Sequence, residues 1–341
     1  MKAEEGGGKV NRSMSRTLDW QFWISIPILI ILPFLTPYQA IATNILIIGL
    51  FATGFNILLG YTGQLSFGHA SFYGLGAYGA GLLIVKLNAS LWVALLGGVL
   101  AAAIGGVVIG YLSLKRIDVY FSLLTLAFSQ ILYFLAFQLR SITGGDDGLR
   151  GIRVFSPFGI DLGQTQNMYY FALVFFIVMT YLARVILRSP LGKAMRAVKE
   201  NEDRAIACGF NTQRVKLISF VISGVYGGLA GALYAIHLRH VPVDLLHWAM
   251  NGEVVFVCIV GGVGTFFGPI VGAVAFLLLH EYVQIVLTRW ELVVGMILIF
   301  FILFFKQGIV GGIENWVASY RGKRVSRGGS GQRGGNRVES A

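Results

Sequence analysis

Apolar runs of about 20 residues, the length that crosses a bilayer as a helix, recur along almost the whole chain, with few charges between them. The runs fall at 20–36, 40–60, 68–86, 91–114, 118–139, 168–187, 215–237, 252–263, 268–287 and 290–305. Only 13% of the 341 residues are charged and 56% are hydrophobic, against about 25% charged in an average soluble domain. A water-soluble fold of this length could not cover its own surface with so little charge. The expected fold is therefore all-α, a polytopic transmembrane helical bundle of about ten spans. The run at 68–86 is glycine-rich and the one at 252–263 is short. Either reads equally as a re-entrant segment, which would leave eight full crossings.

Loop charge tests the count. With the N-terminus inside, loops after even-numbered spans face the cytoplasm. Lys115 and Arg116 follow the fourth span; Arg188, Lys193, Arg196, Lys199, Arg204 and Arg214 follow the sixth; Lys306, Arg321, Lys323, Arg324 and Arg327 follow the tenth. All agree with ten crossings and cytoplasmic N- and C-termini. The net charge of +11 is thus spent on orientation, and nucleic-acid binding is disfavoured because no polar domain exists to carry it. The run at 22–35 follows Lys2, Lys9, Arg12 and Arg16 as in a signal peptide, but continues through Pro33 and Pro37 into the next span without a small-residue cleavage site. It is expected to stay as the first span. The organisation expected is a cytoplasmic segment at 1–19, a membrane domain at 20–315 with a cytoplasmic loop near 188–214, and a disordered basic tail at 316–341 rich in Gly, Ser and Arg.

Three segments depart from plain hydrophobicity. In the first, 60–79, polar side chains and glycines alternate with aromatics. Gln64, Ser66 and His69 would be costly against lipid, so they and neighbouring Tyr73 belong on an inner face. They line a translocation path or bond helix to helix; spacing does not decide between the two. In the second, 189–211, Leu191, Met195, Val198, Ile206 and Phe210 recur at near-helical spacing around a charged group. A short amphipathic helix opened by Pro190, a turn, and a second short helix ended by Gly209 fit this pattern. A loop needing only charge has no use for an apolar stripe, so a docking surface for a cytoplasmic partner is expected. In the third, 261–273, Gly262, Gly264 and Gly268 with Pro269 form a tight turn, Pro269 starting the next helix.

Glu253, His280, Glu281 and Glu291 stand at the outer ends of their spans and read as interface anchors. His237, Arg239, His240, Asp244 and His247 gather outside without metal-ligand spacing, and Cys208 and Cys258 suggest neither disulfide nor zinc. No nucleophile elbow, zinc-protease motif or phosphate-binding loop is present, so the chain is expected to be no enzyme, with no catalytic residue, metal or cofactor of its own.

With these segments together, the sequence resembles the LivM-type permease subunits of ABC importers for branched-chain amino acids. The resemblance rests on GYTGQLSFGHASFYGLGAYGAGLL at 60–83, SPLGKAMRAVKENEDRAIACGFN at 189–211 with KLISFVISGVYGGLAGALYA at 216–235, and GGVGTFFGPIVGA at 261–273. It implies a heteromeric importer in the bacterial inner membrane for branched-chain or other hydrophobic amino acids. Its partners would be a second homologous permease, two cytoplasmic ATPase subunits that use the ATP, and a periplasmic substrate-binding protein. The 189–211 loop would then hold the coupling helices, with Gly192, Arg196, Glu200, Asp203, Arg204, Ala205 and Gly209 as the ATPase-coupling residues. Asp203-Arg204-Ala205 and Gly209 stand where such importers carry Glu-Ala-Ala-x-x-x-Gly, with Ala205 and Gly209 identical. Delivery by the binding protein would set specificity, in keeping with a core that shows no charged pair for an amino acid's termini. Urea or short-amide permeases share the same blocks. A stand-alone ion-coupled secondary transporter is the alternative of another class, but would need ionisable groups near the midplane.

Overall fold

The computed structural model describes residues 39–114 and 118–286, with helical pieces between 27 and 33 and between 292 and 312. Most of the expected first and tenth spans, the Lys115–Arg116 pair and both chain ends lie outside the described residues.

Helix α1 (Gln39–Asn56) continues into a π-helical turn at Ile57–Thr62. It is followed by α2 (Ala70–Leu87), α3 (Leu91–Ser113), α4 (Asp118–Gln138) and α5 (Thr165–Arg188). Two short helices, α6 (Pro190–Glu200) and α7 (Glu202–Ala207), precede the long α8 (Thr212–Leu238). Helices α9 (Trp248–Gly261) and α10 (Gly268–Val286) close the described part. Among the described residues, six helical stretches are long and apolar enough to cross a membrane: Gln39–Thr62, Ala70–Leu87, Leu91–Ser113, Val119–Gln138, Thr165–Arg188 and Thr212–Leu238. They coincide with the second to seventh apolar runs, the glycine-rich one included. The eighth run becomes the 14-residue α9, about 21 Å long at 1.5 Å per residue. That is short of a ~30 Å hydrocarbon core, because Gly262 breaks the helix at φ 117°.

Helix α1 sits at the centre, buried from Ile45 through Asn56 on every side, as a helix apolar all round must be. Around it, α8 holds α5 through Tyr226, whose hydroxyl donates to the Met179 carbonyl at 2.8 Å, while Cys258 of α9 reaches the Ala52 carbonyl. The outer helices show apolar side chains outward: Leu96, Leu100 and Ile104 on α3, Leu123 and Phe134 on α4, Val174 and Val178 on α5. In water this would be an aggregation surface; in lipid it is the solvated face.

Close packing among α2, α3 and α8 depends on glycine. A Cβ at Gly76 would overlap the Gly228 carbonyl, one at Gly98 would meet the Gly76 carbonyl, and one at Gly228 would overlap the Ala102 methyl. Without a hydrophobic force between helices in lipid, such close backbone approach supplies the packing.

The connections sort to two ends. At one, Leu149–Arg150 pairs antiparallel with His240–Val241. There Arg153 donates to the Asn88 and Ala89 carbonyls after α2, and Arg239 to Gly163. At the other end lie the π-turn, α6, α7 and the turn at 262–267. Loops expected on one side of the membrane are thus gathered at one end.

Gly76→Val should cost about 3 kcal/mol, the upper range for overpacking, because the atom it meets is backbone and cannot swing away. A clearly lowered Tm of the detergent-purified protein checks this; an unchanged Tm would refute the close approach.

Candidate functional site

The segment between α1 and α2 leaves helical geometry at the end of the bundle where α6 and α7 lie. The π-turn ends at Gly63 in the left-handed conformation (φ 80°), its N–H donating to the Leu58 carbonyl. Residues 63–66 form no regular structure before α2 begins at Ala70. Its backbone groups are satisfied by side chains of other elements and of the segment itself. The Leu65 carbonyl accepts from Ser122 of α4 at 2.5 Å. The Gly68 N–H donates to Ser66 Oγ, and the Ala70 N–H to Asn251 Oδ1 of α9 at 2.6 Å.

His69 is fully buried. Its Nε2 lies 2.8 Å from Ser223 Oγ of α8, and that hydroxyl donates its proton to the Gly54 carbonyl of α1 at 2.5 Å. A serine hydroxyl has one proton to give, so it accepts from His69, which fixes the Nε2–H tautomer. The ring sits among Phe51, Phe55 and Phe72, with centroids 5.0–5.7 Å away. One imidazole thus joins α1, α2 and α8. Ser66 and Tyr73 are also fully buried, and Tyr73 packs on Phe51 at 4.8 Å. Gln64 alone among these four is half-buried, beside a cavity of about 200 Å³ lined by Gly63, Leu65, Phe121, Ser122 and Lys216. Among the expected path residues, then, Gln64 reaches the surface and the other three stand behind it.

The loop after α5 folds as the two helices expected. Ser189 caps α6, with Pro190 at its first position; Asn201 ends α6 and caps α7 through Arg204 N–H at 2.8 Å; Asn211 caps α8 through Arg214 N–H at 3.0 Å. Gly209 takes φ 85°, which lets the chain turn into α8. The apolar stripe divides. Met195 and Val198 are buried against the bundle, while Ile206 and Phe210 are exposed. Of the expected coupling residues, Arg196, Glu200, Asp203, Arg204 and Gly209 are exposed, and Gly192 and Ala205 pack inward. Lys216 binds Glu202 at 2.6 Å, tying α7 to α8. Burial opposes the Glu202 carboxylate, but the hydrogen bonds from Lys216 and Thr212 win and hold it below the usual carboxylate range. This contribution is present above the unfolded-state pKa and lost as pH falls through the lowered one.

Sequence reasoning did not single out the contact that joins these parts. Lys199 Nζ donates to the Gly60 carbonyl of the π-turn at 2.6 Å. Beside it the Arg196 guanidinium lies over the Tyr61 ring, 5.5 Å from the centroid. Gly60 in turn packs on Gly264. Asn56 accepts from the Gly264 N–H and donates to the Thr265 carbonyl, both at 2.8 Å. The turn itself is as expected: Gly262 (φ 117°) and Gly264 (φ 81°) reverse the chain, and Gly268 and Pro269 open α10. Lys199 therefore links the two-helix loop to both helix breaks at once. The detectable signal was Asn56, an amide inside an apolar run that needs a buried partner. Lys199 looked like one more positive loop charge.

Lys199→Met keeps the stem and removes the donor. Amide exchange over 57–63 should rise about tenfold, the loss of one charge-assisted hydrogen bond, with α1 before Asn56 unchanged. Unchanged exchange at 57–63 would show that the strut does not hold the turn.

The family model described as "Branched-chain amino acid transport system / permease component" matches residues 38–303. The chain is 27% identical over 294 residues to the high-affinity branched-chain amino acid transport system permease protein LivM of Escherichia coli (strain K12), covering 79% of this chain and 69% of that protein. It is 26% identical over 285 residues to the LivH permease protein of Salmonella typhimurium, covering 77% and 90%. The L-arabinose ABC transporter permease protein AraH of Azospirillum brasilense is 28% identical over 248 residues, covering 70% of each. No solved structure gives a significant match.

Proposed function

Because the chain belongs to the permease family of branched-chain amino acid transport systems, we propose that it is one of two homologous membrane subunits of an ATP-driven importer for branched-chain or other hydrophobic amino acids. It has about ten spans, or eight full crossings with re-entrant segments, and both ends in the cytoplasm, the basic loops facing inward. ATP is used by two partner ATPases; a periplasmic binding protein delivers the substrate, and the complex sits in the inner membrane. The amino-acid substrate is favoured over urea, amides or a sugar by the extent of the similarity to LivM and LivH. Membership of a permease family likewise favours a subunit over a lone ion-coupled carrier.

The observation that carries this function is the Lys199–Gly60 strut. Helices α6 and α7 present Arg196, Glu200, Asp203 and Arg204 outward with the apolar pair Ile206 and Phe210, the composition of a docking patch. Gly192 and Ala205 pack the helices onto the bundle, and Gly209 sets the turn. Closure of the ATPases moves α6, and Lys199 passes the displacement to the π-turn and, through Asn56, to the turn at 262–267. Those breaks border the segment in which Gln64 lines the path and Ser66, His69 and Tyr73 hold it from behind. Access then changes by movement of packed units between two arrangements.

Ile206→Glu and Phe210→Glu should each lower co-purification of the partner ATPases about tenfold or more, as loss of an apolar anchor does, with the permease's own Tm retained. ATPase capture equal to wild type would remove this face as the docking surface.

A further inference from the structure

Helices α3 and α8 pack closely at two glycines and leave a cavity at one end. A Cβ at Gly106 would meet Val221 at 3.4 Å, and one at Gly110 would meet Leu217 and Phe220 at 2.8 Å. Past Gly110 stands a cavity of about 220 Å³, lined by Tyr111, Leu114, Asn211, Gln213, Arg214 and Leu217. It belongs to the end of the bundle where α6 and α7 lie, since Asn211 directly follows the turn that leaves α7.

The cavity has two chemically distinct sides. Tyr111, Leu114 and Leu217 make one of them apolar, and it continues onto the outer face of α3. There Ile104, Val107, Val108 and Tyr111 are exposed one turn after another, on the face that lipid solvates. Arg214, Gln213 and Asn211 make the other side. Arg214 is exposed, and its guanidinium makes no ion pair or hydrogen bond among the described residues. The Asn211 side-chain oxygen already accepts from the Arg214 N–H, so its amide N–H groups remain to be offered. No acidic side chain is among the described lining residues. The charge of the cavity is positive and unopposed.

An anion carrying an apolar tail satisfies both sides. A guanidinium takes two phosphate oxygens at once, and basic pockets between helices at the cytoplasmic side hold acidic lipid head groups. A free phosphate would make no use of the apolar side. A partner helix, about 10 Å across with its side chains, is too wide for a space that holds several water-sized groups.

We propose that this cavity binds an acidic phospholipid of the leaflet beside α6 and α7, its phosphate on Arg214 and one acyl chain along α3 past Tyr111. The Lys216–Glu202 bridge ties the same turn of α8 to α7, so the lipid fastens the root of the two-helix loop to the bilayer. The site depends on the chain lying in a membrane and not on what it transports.

The test uses the full chain purified in detergent and titrated with phosphatidylglycerol or phosphatidylcholine of the same acyl chains, bound lipid being counted by native mass spectrometry. Wild type should bind phosphatidylglycerol about tenfold more tightly, the scale of one basic side chain at an acidic head group. Arg214→Gln should abolish that preference, and Tyr111→Ala should weaken binding of both lipids. Both side chains are exposed, so Tm without added lipid should be retained. Arg150→Gln, which removes a charge at the opposite end, should leave the preference as it is. Equal wild-type affinity for the two lipids, or a preference that survives Arg214→Gln, overturns the site. A preference lowered as much by Arg150→Gln overturns it too, because net charge alone then decides. Unchanged lipid binding in Tyr111→Ala, or displacement of the lipid by glycerol 3-phosphate at equal concentration, would reassign the cavity to a soluble anion and sink the proposal.

Discussion

A backbone that leaves the helix inside a bilayer must find every hydrogen-bond partner within the protein, because hydrocarbon offers none. Among the described residues the chain leaves it after Thr62 and at Gly262, at the end of the bundle where α6 and α7 lie, and groups from other elements satisfy the backbone there. Asn251 takes the Ala70 N–H, Ser122 reaches the Leu65 carbonyl, Lys199 reaches the Gly60 carbonyl, and Asn56 binds both Gly264 and Thr265. Each partner comes from another element, so the breaks are local in sequence and depend on the whole bundle for their stability. A lost partner leaves an unsatisfied group at a cost of about 1–3 kcal/mol.

The same requirement joins structure to function. A regular helix needs nothing from its neighbours to satisfy its backbone; a break does, and a group that satisfies it can also move it. Lys199 belongs to α6, which faces outward on its other side, and its ammonium ends on the π-turn. Asn56 carries the connection across to the start of α10. Hydrogen bonds thereby join the π-turn to two segments that lie well over a hundred residues beyond it in the chain. The His69–Ser223–Gly54 chain likewise joins α1, α2 and α8.

Two kinds of polar residue inside the bundle are therefore distinguishable by their partners. His69, Ser66 and Asn56 have them, and their positions are explained by packing and backbone satisfaction. The Tyr73 hydroxyl has no hydrogen-bond partner among the described residues, and His69 is bonded through Nε2 but not through Nδ1. Burial alone does not separate the two, since Tyr73 and His69 are equally enclosed.

Hydropathy and charge sufficed for the helical membrane class and for the positions of the six long spans. Period and capping residues sufficed for α6 and α7: Pro190 and Gly209 bracket them as expected, and Asn201 divides them. These are properties of contiguous sequence, for a helix start, an amphipathic stripe or an apolar run is written in neighbouring residues. That Ser66, His69 and Tyr73 point inward followed from the cost of polarity in lipid, but not which groups they meet. His69 finds Ser223 across 154 positions and Lys199 finds Gly60 across 139. Such pairings depend on how α1, α2, α8 and α9 cross, which small residues such as Gly76 and Gly228 permit only once all the helices are present.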